Sequence, residues 1–126
     1  MRLIRKILYP FSLLYAGVMF IRNKLYDTGV LRSHSYNFPV ISVGNLSVGG
    51  TGKTPMIEYL ISLLKSYLKV ATLSRGYRRE TKGFFLLTGK ETAQQVGDEP
   101  LQFKSKFPEV KVAVDEDRVH GIEELR

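Results

Sequence analysis

The chain has 126 residues, 44% of them hydrophobic and 25% charged, which suits one domain or one lobe and excludes a disordered polymer. Lys and Arg number 19 against 12 Asp and Glu, a net charge of +7 that implies an anionic partner: nucleic acid, a membrane surface or a phosphorylated substrate. Cysteine is absent, which excludes a disulfide framework and a thiolate metal site.

Residues 1–31 differ from the rest. An apolar run over 7–21 is broken by Pro10, Ser12 and Gly17 and flanked by Arg2, Arg5 and Lys6 before it and by Arg22 and Lys24 after it. It is shorter than the ~20 apolar residues a spanning helix needs. Pro10, lacking an N–H, is expected in the first turn of the main helix. No small-residue cleavage site follows, and basic residues come directly after the run, which speaks against a secretory signal. Two readings remain. In one the helix lies in a membrane interface, with Leu13, Leu14, Val18, Met19, Phe20 and Ile21 at the acyl boundary and Lys and Arg among anionic headgroups. In the other it packs on the domain core. Apolar residues on nearly all sides favour the interface.

Residues 39–43 read as a buried strand, because Val40, Ile41 and Val43 are β-branched and a glycine turn follows. A helix is predicted from Lys53, with Ile57, Leu60, Ile61 and Leu64 on one face and Pro55 in its first turn. Residues 70–74 form a second short strand, 75–82 a basic loop and 84–87 a third strand. Residues 98–107 read as a helix, 110–114 as a strand and 117–126 as a further helix. The alternation predicts an α/β fold with a parallel sheet flanked by helices. Ligands then bind beyond the carboxyl ends of the strands, where the residues around 44–54, 75–79, 98 and 115 would meet.

Gly49-Gly50-Thr51-Gly52-Lys53-Thr54 stands between the first predicted strand and helix, the context of a phosphate-binding P-loop. Small residues let backbone N–H groups approach phosphate oxygens, and the helix N-terminus adds partial positive charge. Lys53 can reach the β- and γ-phosphates, and the Thr54 hydroxyl can join a Mg²⁺ shell. The candidate nucleotide-binding set is Ser47, Val48, Gly49, Gly50, Thr51, Gly52, Lys53 and Thr54. Ser47 stands where the common pattern has glycine. A glycine-rich helix cap is the plain alternative, which the Lys-Thr pair and the flanking elements disfavour.

The run from Val40 through Val43-Gly44-Asn45-Leu46-Ser47 to Thr54-Pro55 resembles the tetraacyldisaccharide 4′-kinases, the lipid A 4′-kinases of Gram-negative bacteria. Ser74-Arg75-Gly76-Tyr77, Val96-Gly97-Asp98-Glu99-Pro100 and Asp117-Arg118 agree with that family in order, as does the basic, apolar start. The resemblance implies a P-loop NTPase-like fold. It also implies transfer of the ATP γ-phosphate, with Mg²⁺, to the 4′-hydroxyl of a tetraacylated glucosamine disaccharide 1-phosphate. The expected location is peripheral, at the cytoplasmic face of the inner membrane, whose anionic surface is a partner beside the lipid acceptor. Residues 1–31 are then a membrane-associating helix and 32–126 the N-terminal part of a kinase domain. The family's later acidic pair and histidine have no counterpart here, so the chain is expected to be a truncated piece, inactive alone.

By that resemblance Asp98 is the candidate catalytic base, with Lys53 on the phosphates; capping of the following helix is the alternative role for Asp98. Arg75, Tyr77, Glu99 and Arg118 are the candidate substrate-binding residues. Arg75, Arg78, Arg79 and Lys82 offer cations to a lipid phosphate or headgroup, or form a solvated charge run. Arg118 could instead pair with Asp115 or Glu116. His34 and His120 are read as isolated, which disfavours a histidine zinc site. Another P-loop NTPase, of the metallochaperone or partitioning type, and a non-catalytic membrane-binding fragment are the competing functions. No nucleic-acid motif is found, and oligomeric state is not readable.

Overall fold

The computed structural model describes residues 2–45, 50 and 52–126. The chain divides into two compact units, Met1–Val40 and Ile41–Arg126.

The first unit is dominated by helix α1, Arg2–Asp27. Pro10 lies inside this helix and does not start it. A proline there removes its own bond to the Lys6 carbonyl and crowds that carbonyl, yet the residues before it continue the helical run to Arg2. Large apolar side chains stand exposed along α1, with Leu14 at 68% and Phe20 at 70%. No described helix is long and apolar enough to cross a membrane. The helix ends where the Thr28 N–H and hydroxyl both donate to the Lys24 carbonyl at 2.9 Å and Gly29 turns to φ 76°, a left-handed value natural to glycine.

The second unit holds a three-stranded sheet of order β1-β3-β2, from Ala71–Ser74 (β1), Phe85–Leu86 (β2) and Lys111–Val114 (β3). Strands β1 and β3 run parallel, pairing Ala71 with Lys111 and Ser74 with Val114. Strand β2 is antiparallel to β3, pairing Phe85 with Val114, so the expected parallel sheet is a mixed one. The reason is local. The loop after β1 never crosses back over the sheet, so the chain enters β2 from the carboxyl end of β3.

The predicted strand over 39–43 is not formed; Val40 and Ile41 stand 52% and 61% exposed. β-branched composition expresses fit to a paired, half-buried surface, and without a ladder partner it specifies nothing.

Helix α2 spans Lys53–Leu64, α3 Ala93–Val96, α4 Asp98–Lys106 and α5 Arg118–Leu125. The short α3 was not anticipated. Its signal is Thr92-x-x-Gln95, a capping box in which the Thr92 N–H donates to Gln95 Oε1 at 3.0 Å. The core joins Ile61 of α2, Val96 of α3 and Phe103 of α4 with Val112 and Val114 of β3. Helix α5 lies so close to the sheet that a Cβ at Gly121 would stand 2.8 Å from a Leu73 methyl and 2.9 Å from Asp115 Cβ. Only glycine permits that approach.

Candidate functional site

Gly52 precedes α2 at φ 75°, and Lys53 and Thr54 occupy the helix's first turn. Gly50 is described as well, whereas Ser47, Val48, Gly49 and Thr51 lie outside the described residues. A cavity of about 400 Å³ is lined by Ser42, Val43, Gly44, Gly52, Lys53 and Met56. A second, of about 300 Å³, is lined by Lys53, Thr54, Tyr77, Asp98, Glu99 and Pro100. Lys53 borders both.

Glycine geometry draws two of the three segments of the second cavity together. Gly97, at φ 93°, sits where a Cβ would be 3.2 Å from the Gly76 backbone and from the Tyr77 carbonyl oxygen. Gly76, at φ 68°, would bring a Cβ to 2.7 Å from the Val96 carbonyl oxygen. The loop after β1 and the turn before α4 are thus pressed backbone to backbone, which sets Tyr77 beside Asp98. The Thr54 hydroxyl then donates to Glu99 Oε1 at 2.7 Å, joining α2 to α4. Further along, Gln102 Nε2 donates to Glu58 Oε1 at 2.8 Å, and Lys106 pairs with the same carboxylate.

Asp98 is exposed and begins α4, whose N-cap position is Gly97 with no side-chain cap bond. The capping role considered for Asp98 is therefore not taken up. Arg75 and Arg118 are exposed and line neither cavity.

Arg79 is not an outward cation. Its side chain is only 4% exposed, and its guanidinium donates to the Gly83 carbonyl at 2.8 Å and pairs with Glu116. Glu116 also accepts from the Gly83 N–H at 2.8 Å, so this cluster ties down the loop. Arg78 is exposed, adopts φ 61°, and holds its guanidinium 5.2 Å from the Tyr77 ring centroid.

His120 is not isolated. Its Nδ1 lies 2.7 Å from Asp115 Oδ2, and the Asp117 N–H donates to Asp115 Oδ1 at 3.0 Å. Asp115 is 1% exposed. Burial pushes its carboxyl up, but the bonds from His120 and the Asp117 amide, with the charges of His120 and Arg79, outweigh this and hold it below the usual range. The hydrogen bond to Asp115 raises His120 in turn, against desolvation. Asp117 caps α5, accepting from the Val119 N–H at 3.0 Å. Asp115 and Glu116 are thus engaged by His120 and Arg79, and neither pairs with Arg118. A strand-end Asp with a His in the first turn of the next helix was the available signal for the dyad.

The model of the LpxK family, tetraacyldisaccharide-1-P 4′-kinase, matches residues 4–126. The chain belongs to this family. It is 58% identical over 125 residues to a tetraacyldisaccharide 4′-kinase of Flavobacterium johnsoniae, covering 99% of this chain and 37% of the relative. A Bacteroides fragilis relative of the same name is 58% identical over 122 residues, covering 97% of this chain and 32% of that protein. A crystal structure of LpxK from Aquifex aeolicus in complex with ATP superposes with a TM-score of 0.75 at 46% identity, over 94% of this chain and 38% of that one. The fold is thus that of the matched part of this LpxK structure. The chain spans about a third of the length of the curated relatives it matches.

Proposed function

We propose that the chain supplies the ATP-binding side and the acceptor-activating carboxylate of a tetraacyldisaccharide 4′-kinase acting on a lipid-linked glucosamine disaccharide 1-phosphate. One observation carries this: Lys53 and Thr54 from α2, Tyr77 from the loop after β1, and Asp98 and Glu99 from α4 line a single cavity. An ammonium and a helix N-terminus at one wall suit polyphosphate. A carboxylate without a hydrogen bond among the described residues, at another wall, suits an acceptor hydroxyl.

In the proposed reaction the acceptor oxygen bonds to the γ-phosphorus while the bond to the β-phosphate oxygen breaks and ADP leaves. The hydroxyl proton passes to the Asp98 carboxylate. Lys53 holds the β- and γ-phosphates and offsets charge as it builds on them. The oxygen donors Thr54 and Glu99 suit Mg²⁺, which prefers hard oxygen ligands and, when bound, neutralises phosphate charge. Ser47, Val48, Gly49, Gly50, Thr51 and Gly52 complete the phosphate-binding turn in this reading. Tyr77 packs on the acceptor, and Arg75 and Arg118 offer it cations.

Helix α1 is proposed to lie in the interface of an anionic membrane, with peripheral attachment at the cytoplasmic face of the inner membrane of a Gram-negative cell. Its exposed Leu14 and Phe20, beside Lys6, Arg22 and Lys24, support this.

The test is phosphate transfer by a fusion of this chain to the remaining C-terminal part of the Flavobacterium johnsoniae relative. With γ-labelled ATP, Mg²⁺ and acylated disaccharide 1-phosphate in micelles, label should enter the lipid. ATP hydrolysis that ignores the lipid would favour another type of P-loop NTPase. Micelle binding with no transfer would favour a membrane-binding piece.

A further inference from the structure

We infer that Glu58 is a positioning residue for phosphoryl transfer: it sets the register between α2, which carries Lys53, and α4, which carries Asp98. The inference rests on the kinase reading above.

Among the described residues no backbone hydrogen bond leaves α2 for another helix or strand, so side chains seat this helix. Ile57 and Ile61 pack with the core that contains Phe103 of α4. Apolar contact is non-directional and does not by itself fix how far one helix slides along another. Direction comes from polar groups. Thr54 and Glu58 stand four residues apart on α2, and Glu99, Gln102 and Lys106 follow at intervals of three and four on α4, spacings that share one helix face. Thr54 meets Glu99, and one turn further on Glu58 meets Gln102 and Lys106.

The two rungs differ in what they can hold. Thr54 and Glu99 line the second cavity and are assigned to the metal in the kinase reading, so their mutual bond is no fixed tie. Glu58 lines neither cavity. Its side chain is 15% exposed, and each carboxylate oxygen has its own partner: Oε1 accepts from the Gln102 amide and Oε2 from the Lys106 ammonium. Lys106 first and Gln102 second hold its carboxyl below the usual range, so the clamp is charged at neutral pH. A carboxylate gripped by two groups one turn apart resists sliding along α4 in either direction. A third tie, Lys65 with Glu109, joins more exposed side chains beyond the ends of both helices.

A slide or tilt of α2 would shift the Lys53 ammonium relative to the Asp98 carboxylate. A misplacement of about 1 Å can slow a reaction about 100-fold. ATP held by the start of α2 travels with that helix, so its affinity is spared. Loss of register therefore acts on turnover.

In the fusion described above, Glu58→Ala should lower kcat about tenfold while KM for ATP stays within about twofold. Lys106→Glu should lower kcat likewise, by setting two carboxylates against each other. Combining Glu58→Lys with Lys106→Glu restores an opposite-charge pair, and the Gln102 amide can accept where it donated. That pair should return kcat to within about threefold of the parent. Glu109→Ala, at the far tie, should leave kcat within about twofold. Melting temperatures, with the folded fraction from circular dichroism, separate register from stability. A merely structural Glu58 would lower the melting temperature and leave kcat per folded molecule unchanged, which would overturn the assignment. So would a KM for ATP that rises as far as kcat falls, or a swapped pair that recovers the melting temperature without kcat. A parent fusion that transfers no phosphate would instead bring down the kinase reading itself.

Discussion

The Thr54 hydroxyl donates to Glu99 Oε1 across 2.7 Å, tying the first turn of α2 to the first turn of α4. The contact couples the start of α2, with Lys53, to the segment that carries Asp98. Thr54→Val removes the donor and should cost about 1 kcal/mol in urea unfolding. It should also weaken ATP binding more with Mg²⁺ present than with EDTA, as read by calorimetry. Equal losses in both conditions would remove Thr54 from the metal's surroundings.

Lys53→Ala removes an ammonium that borders both cavities. A hydrogen bond to a charged group contributes about 1.5–3 kcal/mol, so ATP affinity should fall roughly 10- to 100-fold. AMP binding should change little, because the lysine is assigned to the β- and γ-phosphates. Titration of each nucleotide checks this.

Asp98→Asn keeps the shape of the α4 start and removes the proposed base. In the fusion, kcat should drop about 100-fold or more while KM for ATP stays within about threefold. If both parameters match the parent, the base lies elsewhere.

Gly121→Ala places a Cβ within 2.8 Å of a Leu73 methyl and 2.9 Å of Asp115 Cβ. Helix α5 must then move off the sheet, at about 1–3 kcal/mol, typical of overpacking. Chemical denaturation should show it, with a loss of Asp115–His120 coupling in the same variant.

The Asp115–His120 pair makes the α5 tether pH-dependent. His120 is raised from 6.5, so its contribution is fully present below 6.5 and is lost as pH rises through the raised value. Asp115 is lowered from 3.8, so its contribution is present above 3.8 and is lost as pH falls through the depressed value. Thermal stability from this pair should peak between those limits. Asp115→Asn should flatten the upper edge and return the His120 imidazole titration, followed by NMR, toward its ordinary value. The nearby Glu124 and Asp117 charges, which also raise His120, should keep that return incomplete.

Short-range order was legible in the residues themselves. The start of α2 at Lys53, the apolar face through Ile57 and Ile61, and the helix beginning at Asp98 all follow from spacing within one or two turns of chain. Local backbone preference and helical period decide such features. The strand expected over 39–43 failed for the complementary reason: a strand exists only with a partner, and pairing is not a local property. Arg79 and His120 were misread likewise. Their partners Glu116 and Asp115 are brought to them only when β3 lies beside β1 and the chain turns into α5. Composition and spacing were enough to place Lys53 and Asp98 at the starts of α2 and α4. The tertiary structure decided which residues meet, because the approach of Gly76 to Gly97 and of α5 to the sheet is set by packing between segments distant along the chain.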